Sequence, residues 1–208
     1  DKDPEWQGRN YFDGQELVRT PESEANYRKE WKEVIDALYN YPCIAVWVPF
    51  NEAWGQFKTR EIADWTKAYD PSRLVNPASG GNHRPCGHML DLHNYPEPKM
   101  YLYDAKRVNV LGEYGGIGLP VEGHLWSADK NWGYIEFKTR EDVTDRYVTY
   151  AEKLMELVER GFSAAVYTQT TDVEGEVNGL VTYDREVVKV DVDRLHEVNR
   201  RLVRSLDL

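Results

Sequence analysis

Short apolar segments alternate with amphipathic helical segments along most of this chain, and this alternation restricts the possible folds strongly. The apolar run 44–50 is rich in β-branched residues, as in a strand covered on both faces. In 140–160 the apolar residues recur at helical spacing, which predicts a helix that Gly161 closes. Other segments are assigned in the same way: strands near residues 75, 91, 109 and 165, and helices over 21–40, 59–69 and 192–206. Strands that alternate with helices predict an α/β fold with a parallel sheet.

Only five strands can be counted in the 208 residues. A complete (β/α)8 TIM barrel needs eight strands and about 250 residues. The pattern therefore predicts an incomplete TIM barrel, about strands 4–8 with their helices, in a single domain over residues 1–208. A complete, small doubly wound sheet is the alternative. It is disfavoured because no Gly-rich phosphate loop joins a strand to a helix.

The charge balance argues against two classes of partner. With 26 Lys and Arg against 36 Asp and Glu, the formal net charge is −10, which disfavours binding to nucleic acid or to an anionic membrane. No apolar run approaches the roughly 18 residues of a membrane span, and residues 1–4 do not resemble a signal peptide. Cys43 and Cys86 are too few for a disulfide framework, and Cys43 is expected to be buried. Periplasmic, secreted and cytoplasmic locations all stay open.

Each of two apolar runs is followed, one residue later, by a glutamate. The run 46–50 is followed by Asn51 and Glu52, and the run 110–111 by Gly112 and Glu113. A carboxylate at the exit of a buried strand sits on a rigid element, half shielded from water, where its pKa can be tuned. Two such carboxylates that face each other across a cleft are what glycoside hydrolysis requires. The alternative for each glutamate alone is a helix cap or an ion pair.

Three motifs follow one another in the order that is typical of one enzyme family: Phe50-Asn51-Glu52-x-Trp54-Gly55, Asp91-x-His93-x-Tyr95-Pro96 and Gly112-Glu113-Tyr114-Gly115. The sequence resembles glycoside hydrolase family 2, which includes β-galactosidases, β-glucuronidases and β-mannosidases. The resemblance covers nearly the whole chain and implies the carboxy-terminal portion of the family's catalytic TIM barrel. The family's amino-terminal β-sandwich domains and barrel strands one to three have no counterpart here.

The resemblance implies separate roles for the two glutamates. Glu52 would be the general acid/base after strand four, and Glu113 the nucleophile after strand seven. The negative charge of Glu113 would raise the pKa of Glu52, which keeps the acid protonated for the glycosidic oxygen. Formation of a glycosyl-enzyme neutralises Glu113, which lowers the pKa of Glu52 so that it can activate water. A carboxyl separation of about 5–5.5 Å would make the enzyme retaining.

Other residues match the family's sugar-binding positions. Asn51 resembles the asparagine that bonds the sugar 2-hydroxyl, and His93 and Tyr95 match a motif that contacts the glycone. Tyr95 is also expected to donate a hydrogen bond to Glu113, and Asp91 to hold His93 in one tautomer. A turn or cap role for Asn51, and packing roles for His93 and Tyr95, are the alternatives.

Three aromatic residues complete the predicted substrate-binding set. Trp54 and Trp126 lie in loops and are candidate sugar platforms, with structural packing as an equal alternative. Many family members place a tryptophan at the end of strand eight, where this chain has Tyr167 as the candidate sugar floor. The Asn-x-Lys motif of β-glucuronidases is absent from the sequence. A neutral sugar is therefore favoured, with a β-galactoside as the first choice.

No metal site and no cofactor are expected. His83, His88, Asp91 and His93 lack metal-ligand spacing, and the acidic segment 172–179 predicts a solvated loop rather than an EF-hand.

The sequence thus predicts a retaining, β-galactosidase-like glycosidase that acts on an oligosaccharide or glycoside, with no nucleic-acid or membrane partner. The alternatives are a relative of β-mannosidases or β-glucuronidases and a non-catalytic carbohydrate-binding fragment. The chain alone is expected to have little activity without the missing amino-terminal barrel strands and β-sandwich domains of a parent protein.

Overall fold

The computed structural model of the chain describes residues 15–53 and 55–205. The helices in these ranges are α1 (Pro21–Leu38), α2 (Thr59–Tyr69), α3 (Arg140–Val158) and α4 (Val192–Arg204). The strands are β1 (Val46–Trp47), β2 (Leu74–Val75), β3 (Met89–Asn94), β4 (Val108–Gly115), β5 (Ile117–Gly118), β6 (Ile135–Glu136) and β7 (Phe162–Thr168). The four predicted helices are confirmed, with ends within two residues of the predicted ones, and a strand lies at each of the five predicted positions. Among the described helices, none combines the length and the apolar character that crossing a membrane requires.

Local side-chain caps explain where the helices begin. The Thr20 hydroxyl accepts a hydrogen bond from the Ser23 backbone N–H at 3.2 Å, and Pro21 follows as the first helical residue of α1. The Asp191 carboxylate accepts from two backbone N–H groups in the first turn of α4. These caps satisfy backbone donors that have no partner within the helix, so the sequence alone locates both starts.

The described chain forms two compact units. The first contains the residues up to Leu92 together with Tyr103–Asn109, and the second contains His93–Leu102 and the residues from Val110 onward. In the first unit, β1 and β2 pair in parallel, with Val46 opposite Leu74 and Trp47 opposite Val75. Phe50, Phe57, Ile62 and Ala78 form a buried cluster in this unit, against which Tyr27 packs.

The second unit contains the carboxyl ends of β3 and β4, all of β7, and the helices α3 and α4. The three strands form a sheet in the order β3-β4-β7, and β5 and β6 form a separate parallel pair. The inner face of α3 buries apolar and aromatic side chains, among them Val143, Tyr150 and Leu154. The parallel strands and the interleaved helices confirm the α/β class.

Two of the predicted strands are less covered than expected. In 44–50 only Val46–Trp47 is a strand, Val48 is 41% exposed and Cys43 is exposed, so the prediction of a buried Cys43 is wrong. Cys43 lies at a turn before β1, where its side chain reaches solvent. In β7, which lies at one end of the sheet β3-β4-β7 among the described strands, the side chain of Val166 is 59% exposed.

The acidic segment 172–179 is also less solvated than predicted, because Asp172 is buried. Lys189 is only 1% exposed, and its ammonium donates to the Asp172 carboxylate at 2.7 Å and to the carbonyl oxygens of Val177 and Leu119 at 2.8 and 3.2 Å. Burial raises the pKa of Asp172 and lowers that of Lys189. All three ammonium protons have an acceptor, which is the condition for holding a charge inside a protein.

We expect the Lys189→Met variant to lose about 3–5 kcal/mol of unfolding free energy, because it leaves the Asp172 carboxylate buried without its charge partner. Urea denaturation measures the loss. The matched control is Arg194→Met, which removes the ion pairs of partly exposed Arg194 with exposed Glu141 and Asp145 and should cost about 1 kcal/mol or less. Equal losses in the two variants would contradict a special role of the buried pair.

Candidate active site

Glu52 lies in the first unit, where the pairing of β1 and β2 continues as a parallel bridge between Asn51 and Ser79. The Glu52 backbone N–H donates to the Ser79 carbonyl oxygen at 2.7 Å. Glu52 and Ala53 both have positive φ, 45° and 66°, a left-handed conformation that costs a non-glycine residue about 1–3 kcal/mol. Such strain is typical of functional sites. Asn51 is exposed, and Trp54 lies outside the described residues.

A buried carboxylate holds the segment that supports Glu52. Asp91, on β3, is 3% exposed and accepts hydrogen bonds from Asn76 Nδ2 at 2.5 Å and from Ser79 Oγ at 2.7 Å. Ser79 thus receives support from Asp91 through its side chain and supports Glu52 through its backbone. No motif in the sequence indicated this role of Asn76 and Ser79. The expectation that Asp91 also orients His93 stays a prediction.

Glu113 lies in the second unit, inside β4 rather than after it. The Tyr95 hydroxyl donates a hydrogen bond to Glu113 Oε2, and His93 Nδ1 lies 3.4 Å from the same oxygen. The hydroxyls of Tyr95 and Thr168 are 2.8 Å apart. His93 lies near the end of β3, Tyr95 directly follows that strand, and Thr168 is the last residue of β7. The carboxyl ends of three neighbouring strands therefore meet at Glu113.

The direction of each hydrogen bond follows from proton counting. A tyrosine hydroxyl has one proton and an ionised carboxylate has none, so Tyr95 donates to Glu113 and the Thr168 hydroxyl donates to Tyr95. Burial, together with the hydrogen bond to Glu113, raises the pKa of Tyr95 and keeps its hydroxyl protonated. A neutral donor of this kind stabilises the ionised form of a carboxylate, which is the form that acts as a nucleophile.

A profile of the family described as "Glycosyl hydrolases family 2, TIM barrel domain" matches residues 7–109, which include the Glu52 motif and the His93 and Tyr95 motif. The chain belongs to glycoside hydrolase family 2. The predicted resemblance is therefore confirmed. No curated protein matches the sequence.

Two solved structures of similar fold are both β-glucuronidases. The chain aligns with the FMN-binding β-glucuronidase from Faecalibacterium prausnitzii L2-6 with a TM-score of 0.58 and 18% identity, over 88% of this chain and 32% of that one. It aligns with the Bifidobacterium dentium β-glucuronidase, solved with coumarin-3-O-glucuronide, with a TM-score of 0.59 and 16% identity, over 88% and 34%. The chain thus spans about a third of these proteins, and at these identities the likeness establishes the fold alone. The described strands form part of a family 2 TIM barrel, whereas the assignment to strands 4–8 stays a prediction.

Two consecutive glycines follow Glu113 and Tyr114 in this family 2 chain, and each accommodates an aromatic ring. Gly115 has φ +107°, and a Cβ there would lie 2.4 Å from Tyr167 Cε2. Gly116 has φ +64°, and a Cβ there would lie 2.3 Å from Tyr134 Cδ2. Any larger residue at either position would collide with a ring. The glycines therefore let Tyr167 and Tyr134 pack against the backbone next to Glu113.

Tyr134 is the site residue that sequence analysis missed most clearly. Its ring stacks on that of Tyr95, with centroids 3.8 Å apart and planes inclined by 6°. Trp132 contacts the Tyr134 ring edge-on, with ring centroids 5.4 Å apart. The signal available in the sequence was the Gly115-Gly116 pair, which implies a close approach of some other group to the backbone.

The remaining aromatic candidates have different surroundings. The Tyr167 ring packs against Tyr114 and Tyr147, with centroids 5.6 and 5.0 Å apart, and burial raises the pKa of its hydroxyl. Tyr114 and Tyr147 thus cover part of the Tyr167 ring. The role of Tyr167 as the floor of the sugar site stays a prediction. Trp126 is 64% exposed and meets Tyr183 edge-on at 5.6 Å. Its use as a sugar platform also stays a prediction.

We expect the Gly116→Ala variant to lose about 2–5 kcal/mol of unfolding free energy, measured by urea denaturation. The loss combines about 1–2 kcal/mol for a side chain at positive φ with about 1–3 kcal/mol for the collision with Tyr134. Gly123→Ala is the matched control, because Gly123 also has positive φ, +83°, but nothing lies within 4 Å of its added Cβ. A loss at Gly116 no larger than that at Gly123 would show that the Tyr134 ring can move away at no cost.

Proposed function

We propose that this chain carries the two catalytic glutamates of a retaining β-glycosidase, with Glu113 as nucleophile and Glu52 as general acid/base. The observation that supports this most is the Glu113 carboxylate with the Tyr95 hydroxyl and His93 against one of its oxygens, in a chain of glycoside hydrolase family 2. A carboxylate ringed by polar groups at the carboxyl end of barrel strands occupies the usual place of catalytic residues in this fold.

The proposed reaction has two steps. In the first, a Glu113 oxygen attacks the anomeric carbon, the glycosidic C–O bond breaks, and Glu52 transfers its proton to the departing oxygen. In the second, Glu52 takes a proton from water, whose oxygen attacks the anomeric carbon and releases the Glu113 carboxylate. Two displacements restore the original anomeric configuration, and we expect a carboxyl separation of about 5–5.5 Å during turnover.

The surroundings of the glutamates suit these roles. Glu113 must be ionised to attack, and the Tyr95 hydroxyl favours that form by donating to it. This bond also holds the carboxylate in one orientation before the substrate binds. Glu52 must stay in place while it gives and takes a proton, and its backbone bond to Ser79 serves that purpose. In this proposal Asn51 and His93 bind hydroxyls of the sugar.

The sugar itself has two candidates. A β-galactoside is the first, because the chain has no Asn-x-Lys segment, which β-glucuronidases of this family use for the sugar carboxylate. A β-glucuronide is as good a candidate, because two structures of similar fold are named β-glucuronidases. A β-mannoside is a further possibility within the family.

We also propose that the active form contains further barrel strands from a longer protein. The chain spans only about a third of the two similar structures. In addition, among the described strands β7 lies at one end of the sheet β3-β4-β7, so its outer edge can accept a neighbouring strand. The 208-residue chain alone is then expected to have little hydrolytic activity, and a non-catalytic carbohydrate-binding role is the alternative.

Hydrolysis of 4-nitrophenyl β-galactoside, β-glucuronide and β-mannoside tests both proposals. The assay compares the 208-residue chain with the full-length gene product. We expect the full-length protein to hydrolyse one of the three and the isolated chain to be nearly inactive. Full activity of the isolated chain would contradict the requirement for further strands. A full-length protein that binds sugars but hydrolyses none of the three would favour the carbohydrate-binding alternative.

A further inference from the structure

We propose that Tyr134 is a positioning residue for Glu113 and acts through Tyr95. The stack of Tyr134 on Tyr95 holds the Tyr95 ring in the plane from which its hydroxyl reaches the Glu113 carboxylate. This inference rests on the proposed role of Glu113 as nucleophile.

The geometry of the stack restricts how the Tyr95 side chain can move. The two rings are nearly parallel, with centroids 3.8 Å apart, which is about the thickness of two aromatic rings in contact. Movement of the Tyr95 side chain toward Tyr134, which would carry its hydroxyl off the Glu113 carboxylate, would drive one ring into the face of the other. The hydroxyl of Tyr95 donates to Glu113 and accepts from Thr168, so a fixed ring also fixes both hydrogen bonds.

Tyr134 can serve as a support because it is itself held from several sides. Its backbone N–H donates to the Gly116 carbonyl oxygen at 3.1 Å, and its ring lies against Gly116, where even a Cβ would not fit. Trp132 touches the ring edge-on at 5.4 Å. The backbone of Trp132 is anchored in turn by hydrogen bonds with Gly175 and Val177, at 2.8 and 2.9 Å.

These contacts therefore connect the backbone that follows Glu113 with the Glu113 carboxylate itself. Gly116 holds Tyr134, Tyr134 holds Tyr95, and the Tyr95 hydroxyl holds Glu113. Without the Tyr134 ring, the Tyr95 side chain can move into the space that Tyr134 occupied, and its hydroxyl spends less time on the carboxylate. A packing role alone would lower stability but would not depend on the hydroxyl of Tyr95.

The test measures the titration of the Glu113 carboxyl by 13C NMR in the 208-residue chain labelled with [δ-13C]glutamate. The titratable groups against Glu113 in the second unit include His93 and Tyr95, and the imidazole of His93 is followed in the same samples. The variants are Tyr134→Ala, Tyr134→Phe, Tyr95→Phe and the double variant Tyr134→Ala/Tyr95→Phe.

We expect Tyr95→Phe to raise the Glu113 midpoint by about one pH unit, since the carboxylate loses a donor. Tyr134→Ala should raise it by a similar amount, Tyr134→Phe should leave it near the parent value, and the double variant should match Tyr95→Phe alone. An unchanged midpoint in Tyr134→Ala would overturn the proposal. An equal upward shift from Tyr134→Ala with and without the Tyr95 hydroxyl would overturn it as well.

The titration can decide the role of Tyr134 even if one variant fails to fold or the protein has no glycosidase activity. If Tyr134→Ala does not fold, Tyr134→Leu replaces it, because leucine fills space without offering a flat face to Tyr95. The titration needs no turnover, so a protein without glycosidase activity would contradict the proposed function while the dependence of Glu113 on Tyr134 could still be measured.

Discussion

Replacement of Glu113 by Ala is expected to lower kcat/KM of the full-length protein for its aryl β-glycoside by roughly 10⁴-fold or more. The reason is that the substitution removes the group that forms the covalent bond, so only binding and polarisation by the remaining residues can assist the reaction. The measurement is the initial rate with a 4-nitrophenyl glycoside. Glu122→Gln is the control, since Glu122 is exposed in a loop.

Azide separates loss of the nucleophile from loss of folding. In Glu113→Ala, azide can enter the space of the missing carboxylate and attack the anomeric carbon in one displacement, so the glycosyl azide should have inverted configuration. 1H NMR of the product gives that configuration. Retained configuration, or activity of Glu113→Ala within tenfold of the parent protein, would contradict the assignment of Glu113.

Replacement of Glu52 by Ala is expected to lower kcat/KM by roughly 10²–10⁴-fold, the range of a lost general acid. The loss should depend on the leaving group. An alkyl glycoside needs a proton on its departing oxygen, whereas 2,4-dinitrophenolate leaves without one. We therefore expect the largest loss with the alkyl glycoside and the smallest with the dinitrophenyl glycoside. Glu30→Gln is the matched control, because Glu30 is exposed on α1.

The glycosyl-enzyme should accumulate in Glu52→Ala with the dinitrophenyl substrate, because water then lacks its general base. Azide needs no base, so it should speed turnover and give a glycosyl azide of retained configuration. A loss that is the same for all leaving groups would contradict acid catalysis by Glu52 and favour a structural role of this strained residue.

The elements that sequence analysis located best are those set by local signals. The start of α1 follows from Thr20 and Pro21, and the end of α3 from Gly161, because caps act within one turn of the helix. Strand lengths were less predictable. The run 44–50 has the composition of a long strand, yet only Val46–Trp47 is assigned to one, since the extent of pairing depends on the partner strand.

In the candidate site, too, residues within short motifs could be predicted, whereas contacts between residues far apart in the chain could not. The motifs identified Glu52, Glu113 and Tyr95, and the expected hydrogen bond from Tyr95 to Glu113 is present. The stack of Tyr134 on Tyr95 joins residues that lie 39 positions apart, with β4 and β5 between them. No spacing within a single element encodes such a contact.

Buried charges were the least predictable feature. Asp172 belongs to a segment that contains three acidic residues and looks solvated in the sequence. Its burial depends on Lys189, which supplies a compensating charge from 17 residues away. The burial of Asp91 likewise depends on donors from Asn76 and Ser79. A sequence pattern lists the charged residues but does not show which of them will find partners in the fold.

The most direct test of the central claim is to trap the intermediate on the full-length protein with the 2-deoxy-2-fluoro β-glycosyl fluoride of the preferred sugar. The electronegative fluorine at C2 slows both steps. Because the anomeric fluoride is a good leaving group, the first step stays faster than the second and the intermediate accumulates. Peptide mass spectrometry after digestion should then find one fluoroglycosyl group, esterified to Glu113. A label on any other residue would contradict the assignment of the nucleophile, as would rapid turnover of natural substrates with inverted configuration and no label.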